Sequence, residues 1–283
     1  MPIIDTHCHY NMEPFFSGKK FIFDLEDGDS LLNMNWQDHW QNAQAKGVTG
    51  SVVVGTTIET SDLALEIAQK EPNLLAAVGV HPSHAHEITL DQLDRAAANW
   101  TEQKIHAVGE TGLDFFRLDP NDEAFEQITN QQKEVFRWHI RFAQQQNLPL
   151  IVHVRDKTEL AYRETLAIIK KEYSGDKPFV LHCISGPLDY VQEAIEFGAF
   201  IGFDANITYP KAQEIRDLVG KTPANRLLIE TDAPFLPPQN HRGKVCEPWM
   251  IAETAEYAQQ ELGLNLDQLF ENSQNFFEHS FVK

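Results

Sequence analysis

Residues 149–183 read PLIVHVRDKTELAYRETLAIIKKEYSGDKPFVLHC. Two short β-rich apolar runs, 149–154 and 178–182, carry His153 and His182 near their ends and flank a segment, 158–173, with helical spacing of its apolar residues. The unit is strand, helix, strand. Moving outward, six more runs of the same kind lie at 3–7, 48–54, 74–80, 105–109, 199–203 and 226–232. Helical spacing recurs near 35–46, 60–70, 89–102, 121–146, 188–197, 211–219 and 248–262, with a last helix near 266–278. Strand then helix, eight times, predicts a closed (β/α)8 TIM barrel, an α/β fold. An open doubly wound sheet allows the same alternation. Polar placement separates the two: nearly every run ends in His, Glu or Asp, and a barrel converges those C-terminal edges on one pocket.

A length of 283 residues suits one barrel domain spanning 1–283, and no linker, repeat or low-complexity tract divides it. The formal charge of −19 works against a broad, sequence-independent grip on duplex DNA, although cations bound in a cleft can reverse the sign locally. Three cysteines without C-x-x-C spacing suggest neither a disulfide framework nor a thiolate zinc site. No run is long and apolar enough to span a membrane, and the first residues lack a signal pattern, so a cytoplasmic location is expected. Residues 10–35 interrupt the rhythm. Such a long connection would overhang the active face, either as a lid or protein-partner surface using Phe15, Phe16, Phe21 and Phe23, or as an insertion packed on the rim.

His7-Cys8-His9 ends the first run, and the two-residue strand period sends both imidazoles to one side. Neutral imidazole is a common metal ligand, and Asp5, on the same face, is positioned to fix one ring's tautomer. Glu110, just after the fourth run and between Gly109 and Gly112, offers two oxygens that can bridge two cations. His153 and His182, taken singly, are more often satisfied core histidines. Four histidines and a glutamate at one edge of four strands are poorly explained by packing. Asp232, in Leu-Leu-Ile-Glu-Thr-Asp-Ala-Pro (227–234), can ligate a cation and accept a proton from water, or simply form a turn. Glu230 shares its strand face as a supporting group. His81, His84 and Arg155 are candidate substrate-binding residues, Arg155 for a phosphate.

The motifs Asp5-Thr-His-Cys-His9, Gly79-Val-His-Pro82, Gly109-Glu-Thr-Gly-Leu-Asp114, His153-Val-Arg-Asp156, His182-Cys-Ile-Ser-Gly186 and Glu230-Thr-Asp-Ala-Pro234, in this order, resemble the TatD family of metal-dependent deoxyribonucleases, a branch of the amidohydrolase-like barrels. The resemblance runs from residue 3 to about 250. It implies two divalent metal ions (Zn, Mn, Mg, Fe or Co), one held by His7, His9 and Asp232, the other completed by His153 and His182, with Glu110 bridging. It implies a nuclease cleaving phosphodiester bonds of single-stranded or frayed DNA, with Asp232 and Glu110 catalytic. Two features depart from the family: the longer 10–35 segment, and Cys246 in place of the Asn before Glu-Pro, which would remove a substrate-facing hydrogen bond. Glu247 keeps the family's acid as a supporting group. The rival expectations are a hydrolase of a small ester, amide or phosphate, and a partner-dependent subunit whose metal is mainly structural.

Overall fold

The computed structural model describes residues 2–20, 31 and 33–281. Strands β1 (Ile3–Cys8), β2 (Val48–Val54), β3 (Leu74–Val78), β4 (Ala107–Asp114), β5 (Leu150–Arg155), β6 (Phe179–Leu181), β7 (Phe200–Phe203) and β8 (Leu227–Ile229) lie side by side in sequence order. Every ladder is parallel. The ring closes just beyond β8, where the Asp232 N–H donates to His7 O and the His9 N–H to Ala233 O, both at 2.9 Å. The fold is the predicted (β/α)8 barrel.

Helices follow each strand: α1 (Trp36–Ala45), α2 (Ile58–Lys70), α3 (Leu90–Trp100), α4 (Phe125–Gln146), α5 (Leu160–Glu172), α6 (Leu188–Glu196), α7 (Gln213–Lys221) and α8 (Ile251–Leu262), with α9 (Leu266–Phe277) after them. Their starts are written locally. Asn35 with Asp38, Thr57 with Thr60 and Thr89 with Gln92 form reciprocal capping boxes, satisfying N–H groups that the first helical turn leaves without partners. None of the helices among the described residues is long and apolar enough to cross a membrane.

Two apolar layers hold the barrel. The larger lies between strands and helices. The smaller takes residues from all eight strands, among them Ile4, Val52, Ala107, Ile151, Val180 and Leu228, and joins them to Phe270, Phe276, Phe277 and Phe281. These phenylalanines, from α9 and the residues after it, form the floor. Gly50 permits this closure, since a Cβ there would run into the Phe281 ring.

Two strand ends differ most from expectation, those of β4 and β8, and both bear on the site. β4 runs on to Asp114, because its ladder with β5 resumes at Thr111 after a register shift and continues to Asp114 opposite Arg155. Glu110 therefore lies inside the strand rather than after it. β8 stops at Ile229, and Asp232 follows in a turn with φ of 57°, a left-handed conformation that Asp tolerates better than most residues. In the 10–35 segment, Phe15 is buried edge-on to His39 of α1, with ring centroids 4.6 Å apart, and Phe16 packs partly against the core. Phe21, Phe23 and the rest of residues 21–30 lie outside the described residues, as does residue 32, and with them part of the expected lid or partner surface.

Candidate metal centre

Six side chains carried by five strands or the residues just after them meet at the C-terminal mouth. His7 and His9 come from β1 and its end, Glu110 from β4, His153 from β5, His182 from just past β6, and Asp232 from the turn after β8. Glu110 lies between two groups. Its Oε2 is 3.5 Å from His7 Nε2 and 3.9 Å from His9 Nε2, while its Oε1 is 2.9 Å from His153 Nδ1 and 2.7 Å from His182 Nε2. Asp232 Oδ1 joins the first group, 3.3 Å from His9 Nε2 and 3.7 Å from His7 Nε2. His7, His9 and Asp232 form one set of donor atoms within 4.8 Å of one another, and Glu110, His153 and His182 form another.

The donor chemistry of these sets fits divalent cations. His9 donates Nδ1–H to Val54 O at 2.9 Å, leaving the Nε2 lone pair turned to the centre. His153 faces Asp114 Oδ2 with Nε2 at 3.3 Å, leaving its Nδ1 lone pair turned the same way. Ring nitrogens consequently confront each other, His7 Nε2 with His9 Nε2 at 3.3 Å and His153 Nδ1 with His182 Nε2 at 3.1 Å. Facing lone pairs repel unless positive charge lies between them, and a cation supplies it to both.

The electrostatics agree. Burial alone would raise the pKa of Glu110, but His182, His81 and His153 hold it well below the usual carboxylate range. Burial likewise opposes the charge on Asp232, and His9, His7 and His182 outweigh it. Conversely, His182 is pushed well up against its burial by Glu110 and Glu230, and His9 and His153 are raised against theirs by Asp232 and by Asp114 with Glu110. His81 goes the other way: burial, with His153 beside it, lowers it to about 3. The carboxylates thus stabilise positive charge at the mouth. Asp232, His153 and His81 keep partial exposure, so the centre opens to solvent on one side.

The other expected residues divide. His81 is in the cluster, its Nε2 3.6 Å from Glu110 Oε1. His84 is not: it points outward to Glu87, 3.1 Å away, because residues 82–87 form a 3-10 turn that carries it to the surface. Asp5 does not touch an imidazole. The β1 register with β2 shifts between Asp5 and Cys8, breaking the simple alternation, and the Asp5 carboxylate instead accepts from Thr231 N, Thr231 Oγ1 and His7 N, tying β1 to the turn that bears Asp232. Glu230 lies 3.5 Å from His182 Nδ1 and accepts the Cys183 N–H at 2.6 Å. Gly202 makes room for it, since a Cβ there would lie 2.5 Å from Glu230 Oε2. Glu247 pairs with His39 of α1 at 3.5 Å rather than with the cluster, because it caps the 3-10 turn at 248–250, which packs on α1. Cys246 is fully buried in the apolar core, so its side chain does not face an open groove. Arg155 reaches the rim and stacks on Phe116.

One further residue of the site has a role that its motif alone does not reveal. Asp114 faces His153, and Gln132 of α4 grips its backbone at both ends, accepting from Asp114 N at 2.9 Å and donating to Asp114 O at 3.0 Å. The available signal was parity: Gly112 and Asp114 pair with His153 and Arg155 across the β4–β5 ladder.

Comparison with known proteins follows the same lines. The family model described as "TatD related DNase" matches residues 4–282. The uncharacterized metal-dependent hydrolase YcfH of Escherichia coli K12 is 31% identical over 282 residues, covering 99% of this chain and 96% of its own. The uncharacterized metal-dependent hydrolase YabD of Bacillus subtilis is 32% identical over 255 residues, covering 90% and 89%. The crystal structure of YjjV, a TatD homolog from Escherichia coli K12, superposes with a TM-score of 0.80 at 28% identity, covering 98% of each chain. A barrel with these His, Glu and Asp clusters at its mouth, matched by the family model over nearly its whole length, belongs to the TatD family and is one of its metal-dependent hydrolases.

Proposed function

We propose that the chain is a two-metal phosphodiesterase that cleaves single-stranded or frayed DNA, with His7, His9 and Asp232 as one ligand set, His153 and His182 as the other, and Glu110 shared. The observation that carries this reading is the division of the Glu110 carboxylate, one oxygen toward each histidine pair. Divalent cations bound there would polarise a phosphoryl oxygen and make water nucleophilic near neutral pH.

The chain's own residues do the rest. Asp232 uses Oδ1 toward His9 and His7, leaving Oδ2 to take the proton that water gives up as its oxygen bonds to phosphorus, while the bond from phosphorus to the leaving sugar oxygen breaks and that oxygen takes up a proton from solvent. Glu110, at 3% exposure, stays ionised among its imidazoles and holds the two sets in register. Neutral His81, at the edge of the cluster, is placed to orient a phosphoryl oxygen. Asp114 keeps His153 in the tautomer that presents Nδ1, and Glu230 orients His182.

A second reading, hydrolysis of a small ester, amide or phosphate, is favoured by the surplus of 42 acidic over 23 basic residues. Purified protein incubated with end-labelled single- and double-stranded DNA and Mg, Mn or Zn, beside an Asp232→Asn control, separates the two. Metal-dependent laddering absent from the control supports the nuclease. Intact DNA, with turnover of a small phosphomonoester or carboxylic ester, favours the second reading.

A further inference from the structure

The chain carries 42 acidic against 23 basic residues, and two of its exposed cations stand together beside the site on one aromatic ring. Arg155 and Lys157 are both exposed at the end of β5. The Arg155 guanidinium carbon lies 4.0 Å from the centroid of the Phe116 ring, and Lys157 Nζ lies 5.1 Å from the same ring. Among the described residues neither has a carboxylate at ion-pair distance, and Asp119 is an acid whose charge Lys157 stabilises through space.

Their mounting is also tied to the centre. The Phe116 N–H donates to Asp114 Oδ1 at 2.9 Å, and the other oxygen of Asp114 faces His153. Arg155 shares a strand face with His153, two residues farther along β5, which puts it about 7 Å outward. That stride is comparable with the spacing of successive phosphates along a single strand. The ring restrains both long side chains, so less freedom is lost when they engage an anion, and guanidinium matches phosphate oxygens in pairs.

We propose that Arg155 and Lys157, seated on Phe116, form a subsite for the phosphate next to the one being cleaved, so that the enzyme selects a strand carrying successive phosphates over an isolated diester. This rests on the phosphodiesterase reading above. A buried phosphate-binding loop is unnecessary. Two exposed cations give modest affinity and release product readily.

The test uses the metal-loaded enzyme and thymidine p-nitrophenyl phosphate diesters carrying or lacking a second phosphate at the far 5′ or 3′ position, which adds charge without a second base. The second phosphate lowers KM about tenfold in the wild type, the scale of a charge-assisted hydrogen bond. In Arg155→Ala/Lys157→Ala that ratio collapses toward one, Arg155→Lys keeps part of it, and the salt slope of the ratio, which in the wild type reflects screening of the second phosphate from the two cations, flattens. A ratio and salt slope that survive in the double variant, or an equal loss on both substrates, overturn the proposal. Turnover of both diesters by the wild type with no gain from the second phosphate overturns it while leaving the phosphodiesterase reading intact, and turnover of neither brings down both.

Discussion

Phe276 at the floor of the barrel and Glu110 at its mouth are buried almost equally, 1% and 3% exposed, but their surroundings have opposite tasks. Phe276 meets Phe200 and Phe277, with ring centroids 5.2 and 4.8 Å away, and needs nothing but shape. Glu110 needs four imidazoles in two pairs, because a buried carboxylate without partners would take up a proton instead of remaining charged. At equal burial, apolar packing stabilises the fold, whereas the charged cluster must be stabilised by it. The floor is therefore where stability resides, and the mouth is where chemistry does.

The sharpest way to break that division is to truncate the mouth. Glu110→Ala should lower turnover about a thousandfold or more, the scale of losing an electrostatic stabiliser of the transition state, with the circular dichroism spectrum unchanged. Near-normal turnover in that variant would remove Glu110 from the centre. Truncating the floor should do the reverse: Phe276→Ala should cost about 3–5 kcal/mol in denaturant unfolding while keeping kcat at temperatures where the variant stays folded. Loss of kcat without loss of stability would erase the distinction.

His139 tests the wall between the two ends. Its Nε2 accepts the Val80 N–H at 3.1 Å and its Nδ1–H donates to Val135 O at 2.7 Å, fixing α4 to the segment after β3 in the neutral form. Burial lowers its pKa from 6.5 to about 4. The unfolded chain thus binds the extra proton first, and stability falls as pH drops from 6.5 toward 4, by at most about 3 kcal/mol from this group. His139→Gln should flatten that decline in melting curves taken from about pH 7 to about 4.5. An unaltered slope would mean that His139 is not the group titrating. The smallest effect belongs to the support behind the mouth: Asp114→Ala should weaken metal affinity or activity about 10–100-fold, with Asp114→Asn recovering part of it. Equal values for wild type and both variants would show His153 to be oriented by other means.

What could be read from the sequence was what repeats or converges. Eight apolar runs with polar residues at their ends spell out the barrel, and the residues at the ends of those runs, His7, His9, Glu110, His153, His182 and Asp232, are ones that the barrel brings together. What depended on local irregularity was not legible. A register shift in β1 turns Asp5 to Thr231, a 3-10 turn carries His84 away to Glu87, and the docking of residues 248–250 on α1 pairs Glu247 with His39. Asp114 escaped because its task depends on the β4–β5 register, which no single strand reveals.

The most direct test of a shared carboxylate is the number of metal ions bound per folded chain, measured by native mass spectrometry with elemental analysis after loading with Mn or Zn, for the wild type and for Glu110→Ala. Two ions in the wild type, and one or none at the same free metal in the variant, is the result expected if Glu110 joins two sites. A single ion in the wild type, or two ions that persist undiminished in Glu110→Ala, would contradict it.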